Sequence, residues 1–217
     1  MKELTVFAKL LLAWFFFIAC LIMCRIYYSG SLLFVFLVWN IFLAWIPFFI
    51  SSYLQPLSAV RWKHYLLLFA WLLFFPNSLY IITDLIHLDI ETGIPKWFDA
   101  ILLFSASAAG LMMAFISLYR VEQFLHKMAG PKTVTGLMLL ILFLGSFGVY
   151  LGRFLRWNSW DIITNPVQLF VSIGGRIIFP LDHLYTWGVT VILTILFYLI
   201  YFSVKNLPGY LYRAKSE

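Results

Sequence analysis

The sequence predicts an all-α integral membrane protein, a bundle of about six transmembrane helices in a single domain over residues 1–217. Hydrophobic residues make up 64% of the chain and charged residues only 11%, whereas soluble domains have about 45–50% and about 25%. The mean hydropathy of +0.96 agrees with this class. Several apolar runs also reach the roughly 20 residues that a helix needs to cross a bilayer.

The predicted transmembrane spans are, in chain order, about 6–24, 31–51, 64–84, 100–119, 133–152 and 185–204. Turn signals separate some of them, among them Gly30, Gly93-Ile94-Pro95 and Gly130-Pro131. The fourth span carries small residues, including Ala106 and Gly110, at helical spacing. Small residues let helix backbones approach closely in lipid, so this span is predicted to pack tightly against a neighbour.

The basic residues predict the orientation of the chain. With the N-terminus in the cytoplasm, ten of the 15 lysines and arginines fall on the cytoplasmic side and five fall outside. By the positive-inside rule, both termini are then cytoplasmic. The net charge of +6 does not indicate nucleic acid, because these residues sit at the ends of apolar runs. The expected partners are the lipid bilayer and anionic lipid headgroups.

An additional apolar segment, 167–179, lies between the fifth and sixth spans. It is short, and Gly174-Gly175-Arg176 interrupts it. A run of this length more often lies at the membrane interface or re-enters than it spans. If it did span, the C-terminus would move to the other side of the membrane.

A polar stripe closes the third span. With about 100° of rotation per residue, Asn77, Tyr80, Asp84 and His87 fall within about 80° of one another on a helix. Polar groups are costly in lipid unless they are paired, so such a stripe indicates a site. In the second span the isolated Asn40 is interpreted as a residue that hydrogen-bonds between helices.

A second polar cluster follows the fifth span and includes Arg153, Arg156, Asn158 and Asp161. In the six-span topology both clusters lie at the outer ends of their helices. They are therefore expected to face the same compartment and to form one outward-facing site.

The favoured function for this site is binding or acting on a phosphate-bearing lipid or cell-envelope substrate. The planar forks of Arg153 and Arg156 would bind the phosphate, and Asp84 with His87 would serve as catalytic acid and base. Further substrate-binding residues on this hypothesis are Asn77, Tyr80, Asn158 and Asp161.

A structural role is the main alternative. In this interpretation Asp84 and Asp161 pair with Arg153 and Arg156 only to hold helices together, and the protein is a non-enzymatic membrane component. Small-solute transport is less favoured, because the inner halves of the spans are nearly free of charge and no inverted repeat is visible.

A divalent metal is a third possibility for the site. Asp84 and His87 stand three residues apart, and Asp161 or His183 would complete a carboxylate and imidazole shell. Such an ion could activate a water molecule for hydrolysis. Asp-x-x-His alone is a weak signal, so the sequence decides neither the metal nor whether the protein is an enzyme.

Two ordered motifs carry a resemblance to a known family. They are Phe75-Pro76-Asn77-x-x-Tyr80-x-x-Thr83-Asp84-x-x-His87-Leu88 and Tyr150-Leu151-Gly152-Arg153-Phe154-x-Arg156-Trp157-Asn158-Ser159-Trp160-Asp161. Both resemble signatures of the bacterial membrane-protein family named domain of unknown function 1361. The resemblance implies a multi-pass protein of the bacterial plasma membrane, and it implies no established activity.

Overall fold

The structure is a computed structural model that describes residues 2–54, 60–90 and 93–214. These ranges contain eight α-helices and two 3₁₀ segments, and no strand. The helices are α1 Lys2–Ser29, α2 Phe36–Ser52, α3 Trp62–Tyr80, α4 Lys96–Leu125, α5 Pro131–Leu155, α6 Asp161–Thr164, α7 Pro166–Ile178 and α8 Leu184–Ala214. The 3₁₀ segments are Ile81–Asp89 and Pro180–His183.

Five stretches of the described chain are long and apolar enough to cross a membrane, judged by length and composition. They are Ala8–Ser29, Trp62–Asp89, Lys96–Leu125, Pro131–Leu155 and Pro180–Tyr210. The predicted second span corresponds to α2, whose 17 residues lie at the lower limit for a bilayer. The predicted class, an all-helical membrane bundle, is confirmed.

Most of the helices extend beyond the predicted spans, because hydropathy detects only the part of a helix that matches the hydrocarbon core. The third predicted span falls within the candidate span Trp62–Asp89, but it is not α-helical throughout. The α-helix ends at Tyr80, and a 3₁₀ segment of nine residues follows it. Such segments rarely exceed three or four residues, and long ones often mark functional positions.

The chain divides into two compact units, residues 1–120 and 121–217. In the first unit α2 packs against α3. The core of this unit joins residues of α1, the turn before α2, α2, the 3₁₀ segment and α4, namely Ile18, Ile22, Phe34, Leu37, Ile81, Leu102, Leu103, Ala106 and Ala109. The assignment of the whole chain to one domain stays a prediction.

The second unit pairs α5 with α8. The Trp187 ring is nearly parallel to those of Phe143 and Phe147, with ring centroids 6.1 and 5.5 Å apart. At the end of α4, buried Glu122 accepts a 2.6 Å hydrogen bond from the Tyr201 hydroxyl and pairs with Lys205 at 2.8 Å. These bonds tie α8 to the last turns of α4.

Replacing Tyr201 by Phe should lower the free energy of unfolding by about 1.5–3 kcal/mol, the usual contribution of a hydrogen bond to a charged group. The change leaves the ring in place and removes only the donor to Glu122. Thermal unfolding in detergent would measure it. Tyr198→Phe is the control, because the Tyr198 hydroxyl has no hydrogen bond within the described chain. Equal effects of the two variants would contradict the prediction.

Helix α7 covers the predicted short apolar segment. Its 13 residues extend about 20 Å, too short for a bilayer core of about 30 Å. One face is apolar and exposed, with Val167, Phe170, Val171 and Ile178 each more than 60% accessible. Leu169 on the opposite side is buried. This two-sided pattern is typical of a helix that lies in the membrane interface.

Candidate functional site

The polar stripe of the first unit begins in the last turn of α3 and continues on the 3₁₀ segment. Residues three apart eclipse one another in a 3₁₀ helix, so Ile81, Asp84 and His87 share one edge. Asp84 is 1% exposed, and its Oδ2 accepts a 2.7 Å hydrogen bond from the Asn40 side-chain amide of α2. The prediction that Asn40 forms an interhelical hydrogen bond is therefore confirmed.

The other residues of the stripe are half-buried. The His87 ring meets the Phe36 ring edge to face, with centroids 5.0 Å apart. Thr83 donates its hydroxyl to the Tyr80 carbonyl at 2.6 Å, which is a local bond of the kind that caps a turn. Asn77 and Tyr80 lie in the last turn of α3. The stripe thus presents one enclosed carboxylate and one partly accessible imidazole.

Two neighbouring helices fix the position of the 3₁₀ segment. The Ser107 hydroxyl of α4 donates to the Ile81 carbonyl at 3.0 Å, where the α-helical bonding pattern changes. Gly110, one turn further along α4, lies directly against the Ile81 side chain. On the preceding turn of α3, the Ser78 hydroxyl donates to the Ala44 carbonyl of α2 at 2.9 Å. The edge with Asp84 and His87 is therefore held from both α2 and α4.

In the second unit, the predicted cluster begins where α5 ends. Arg156 has φ +60°, the left-handed conformation that closes many helices and that glycine adopts most readily. The backbone N–H of Trp157 donates to the Leu151 carbonyl at 3.1 Å, which completes the helix terminus. An arginine at this position costs about 1–2 kcal/mol relative to ordinary conformations. The Arg156 side chain is exposed, and Arg153 is half-buried.

Both carboxylate oxygens of Asp161 accept hydrogen bonds from residues of its own turn. Its Oδ2 accepts the backbone N–H of Asn158 at 2.6 Å, and its Oδ1 accepts the Thr164 hydroxyl at 3.0 Å. These bonds form a compact turn before α6, which supports a structural role for the carboxylate. Its assignment as a substrate or metal ligand stays a prediction.

A chain of hydrogen bonds connects this cluster to helix α7. The Trp157 indole N–H donates to the Ser172 hydroxyl at 3.3 Å. Arg176, one turn later, donates from Nη1 to the Ser172 carbonyl at 2.7 Å and to its hydroxyl at 3.0 Å. Sequence reasoning had assigned no role to Arg176. Its spacing from Ser172 on the polar side of an amphipathic helix was the available signal.

Metal binding gains no support from the geometry. Among the described residues, no group of three His, Cys, Asp or Glu side chains could hold a metal ion. The candidates Asp84 and His87 lie in the first unit, and Asp161 and His183 lie in the second. A metal at these residues stays a hypothesis.

The predicted site residues divide between the two units. Asn77, Tyr80, Asp84 and His87 belong to the first, and Arg153, Arg156, Asn158 and Asp161 to the second. Their convergence into one site stays a prediction. In each unit the motif residues lie at the end of one helix, α3 or α5, and in the segment that follows this helix.

The fold and these motifs define a class: an all-helical protein with membrane-length apolar helices and polar residues at helix ends. The chain belongs to the family described as protein of unknown function DUF1361, which it matches over residues 39–200. The matched region contains both motifs and ends within α8. No curated protein and no solved structure matches the chain.

Proposed function

We propose that the protein is a multi-pass protein of the bacterial plasma membrane, with both termini cytoplasmic, and that it binds a phosphate-bearing lipid or cell-envelope substrate on the outer side. The observation that carries this proposal is Arg156 in the left-handed conformation. Glycine would end α5 at lower cost, and residues kept in such conformations cluster at functional sites. The functional group of this strained residue is then its exposed guanidinium.

The surroundings of Arg156 support an anion as the ligand. Residues 153–184 carry three arginines, namely Arg153, Arg156 and Arg176, and two aspartates. Of these aspartates, Asp161 already accepts bonds from its own turn. Arginine matches the geometry of phosphate oxygens. The exposed apolar face of α7 in the same unit suits a ligand that resides in the membrane interface.

Arg156→Gly tests the proposal because it separates stability from binding. Release of the left-handed strain should raise the free energy of unfolding by about 0.5–1 kcal/mol. Loss of the guanidinium should weaken binding of short-chain phosphatidylglycerol by about tenfold, the value of one charge-assisted hydrogen bond. Thermal unfolding and lipid titration of the detergent-purified protein would measure the two effects.

Two control variants complete this experiment. Arg156→Asn removes the charge but keeps a residue that tolerates positive φ, so it should lose binding as Arg156→Gly does. Arg156→Lys keeps the charge without the planar fork and should lie between wild type and Arg156→Gly. Unchanged lipid affinity in Arg156→Gly would contradict the proposal.

The proposal extends to Asp84 and His87 as groups that act on the bound substrate. His87 is only partly buried, which is compatible with that role. Asp84→Asn and His87→Gln should then abolish turnover of the substrate while protein levels stay normal. A structural role is the second candidate, and the 2.7 Å bond between Asn40 and buried Asp84 favours it. Under that role the same variants should mainly reduce folding, seen as a lower yield of purified protein.

A further inference from the structure

The first unit contains a pocket that the family motifs do not include. It has a volume of about 310 Å³ and lies between the end of α1 and the start of α4. Its described lining residues are Arg25, Tyr28, Gly93, Ile94, Pro95, Trp97 and Phe98. The lining is therefore largely apolar and aromatic, with one cationic side chain.

Arg25 is the unusual member of this lining. Its side chain is 1% exposed, and its Nε donates to Asp99 Oδ1 at 2.8 Å. A longer contact of 3.4 Å joins Nη2 to Asp99 Oδ2. The guanidinium carbon also lies 4.2 Å from the centroid of the Phe34 ring. The arginine is thus fixed on two sides, by a carboxylate and by an aromatic face.

The third nitrogen of this guanidinium, Nη1, takes no part in these contacts. Arg25 Nη1 is buried and has no hydrogen-bond partner among the residues that the structure describes. Buried donors without a partner are rare and cost free energy. Arg25 is itself a lining residue of the pocket, so this unused donor is the pocket's candidate for a polar contact with a ligand.

We propose that this pocket binds an amphiphile through one acceptor oxygen, with Arg25 Nη1 as the donor and Tyr28, Trp97 and Phe98 around the apolar body. Asp99 already balances the charge of Arg25, and it would repel a dianion. The ligand oxygen is therefore neutral or singly charged, as in an ester carbonyl or a carboxylate. This site goes beyond the phosphate-binding function proposed above and uses none of its residues.

Four probes added to the detergent-purified full-length protein test the chemistry of the ligand. Laurate and methyl laurate carry an acceptor oxygen on a long chain, and dodecyltrimethylammonium has a similar chain without an acceptor. We expect the first two to raise Tm saturably and the third to have no such effect. Hexanoate tests the apolar body of the ligand: an amphiphile site should bind it more weakly than laurate, and equal binding of the two would contradict an amphiphile. Equal stabilisation by all three long-chain probes would overturn the proposal.

A matched pair of variants locates the effect. Tyr28 lines the pocket and is 82% exposed. Its neighbour Tyr27 is 85% exposed and is not among the described lining residues. Tyr28→Ala should weaken laurate binding by about tenfold through loss of aromatic contact, whereas Tyr27→Ala should leave it nearly unchanged. Similar affinities in the two variants would also overturn the proposal.

The donor itself is tested by the double variant Arg25→Met with Asp99→Leu, which removes the ion pair as a unit. If it folds, it should bind laurate and dodecyltrimethylammonium alike, because the acceptor oxygen has lost its donor. Retained preference for laurate in this variant would exclude Arg25 as the binding group. If it fails to fold, the comparison of Tyr28→Ala with Tyr27→Ala still decides.

Discussion

Asp99→Leu is expected to lower the free energy of unfolding by about 3–5 kcal/mol, because it leaves a buried arginine without its counter-ion. Asp99 is 4% exposed, and its partner Arg25 is 1% exposed. Loss of the carboxylate removes the acceptor of Nε and Nη2 and leaves the charge of the guanidinium unbalanced. A loss of this size is a large fraction of the stability of an ordinary domain. A reduced thermal transition in detergent, with a lower yield of folded protein, would show it.

Two further variants decide whether the lost ion pair is the cause. Arg25→Met added to Asp99→Leu should recover most of the stability, since replacing a whole buried pair by apolar residues is often neutral or better. Asp89→Asn removes an exposed carboxylate from the nearby 3₁₀ segment and should change stability by less than about 0.5 kcal/mol. An Asp99→Leu effect as small as that of Asp89→Asn would refute the expectation.

The pair of Arg25 and Asp99 also shows what the sequence could not provide. The two residues are 74 positions apart, and each alone has the appearance of an ordinary charge near the end of an apolar run. Only the packing of α1 against α4 buries both. Hydropathy predicted the class of fold and the approximate helix positions, because apolar length is a property of each segment. Which residues of two helices meet depends on the rotation and the register of those helices. Hydropathy carries no information on either.

The polar stripe of the first motif shows the same difference between properties of one segment and contacts between segments. Its polar residues are visible in the sequence alone, since polar side chains in an apolar run need no structure to be noticed. Their geometry was predicted with α-helical rotation, which is wrong beyond Tyr80 because a 3₁₀ segment begins at Ile81. A partner of Asp84 was also missed. It is Asn40, which is 44 residues away on α2, and its interhelical role had been predicted without a partner.

The left-handed backbone of Arg156 had no signal in the sequence. Glycine or asparagine would have indicated it, whereas arginine occurs anywhere. The sequence also does not indicate that both carboxylate oxygens of Asp161 accept hydrogen bonds within its own turn. The motif therefore marks a segment of the chain, and the structure separates its side chains into those that support the turn and those that remain exposed.

Gly110→Ala is expected to lower the free energy of unfolding by about 1–3 kcal/mol, the usual cost of overpacking a core. An added Cβ would overlap Ile81 Cγ2 and lie 3.3 and 3.4 Å from Ile81 Cβ and Cδ1. Ile81 is fully buried and cannot swing away. This expected loss of stability is opposite to the usual effect of the substitution, because alanine is otherwise favoured over glycine within a helix by about 1 kcal/mol.

Gly136→Ala supplies the matched control within the same chain. Gly136 lies on α5, is exposed and has nothing within 4 Å of an added Cβ. The control should therefore be stabilising by up to about 1 kcal/mol, opposite in sign to Gly110→Ala. Thermal unfolding of the two variants in one detergent would compare them directly. Stabilisation by both would mean that α4 tolerates a methyl group at Gly110.

A compensating change at Ile81 identifies the contact responsible. Ile81→Leu has no Cγ2 and keeps the volume, so alone it should cost less than about 1.5 kcal/mol. Combined with Gly110→Ala it should restore most of the lost stability, because the overlapping atom is gone. Ile81 begins the edge that carries Asp84 and His87, so Gly110→Ala should also impair whatever these residues do. Recovery of both stability and activity in the double variant would show that the contact between Gly110 and Ile81 contributes to the position of the polar edge, beside the hydrogen bond from Ser107.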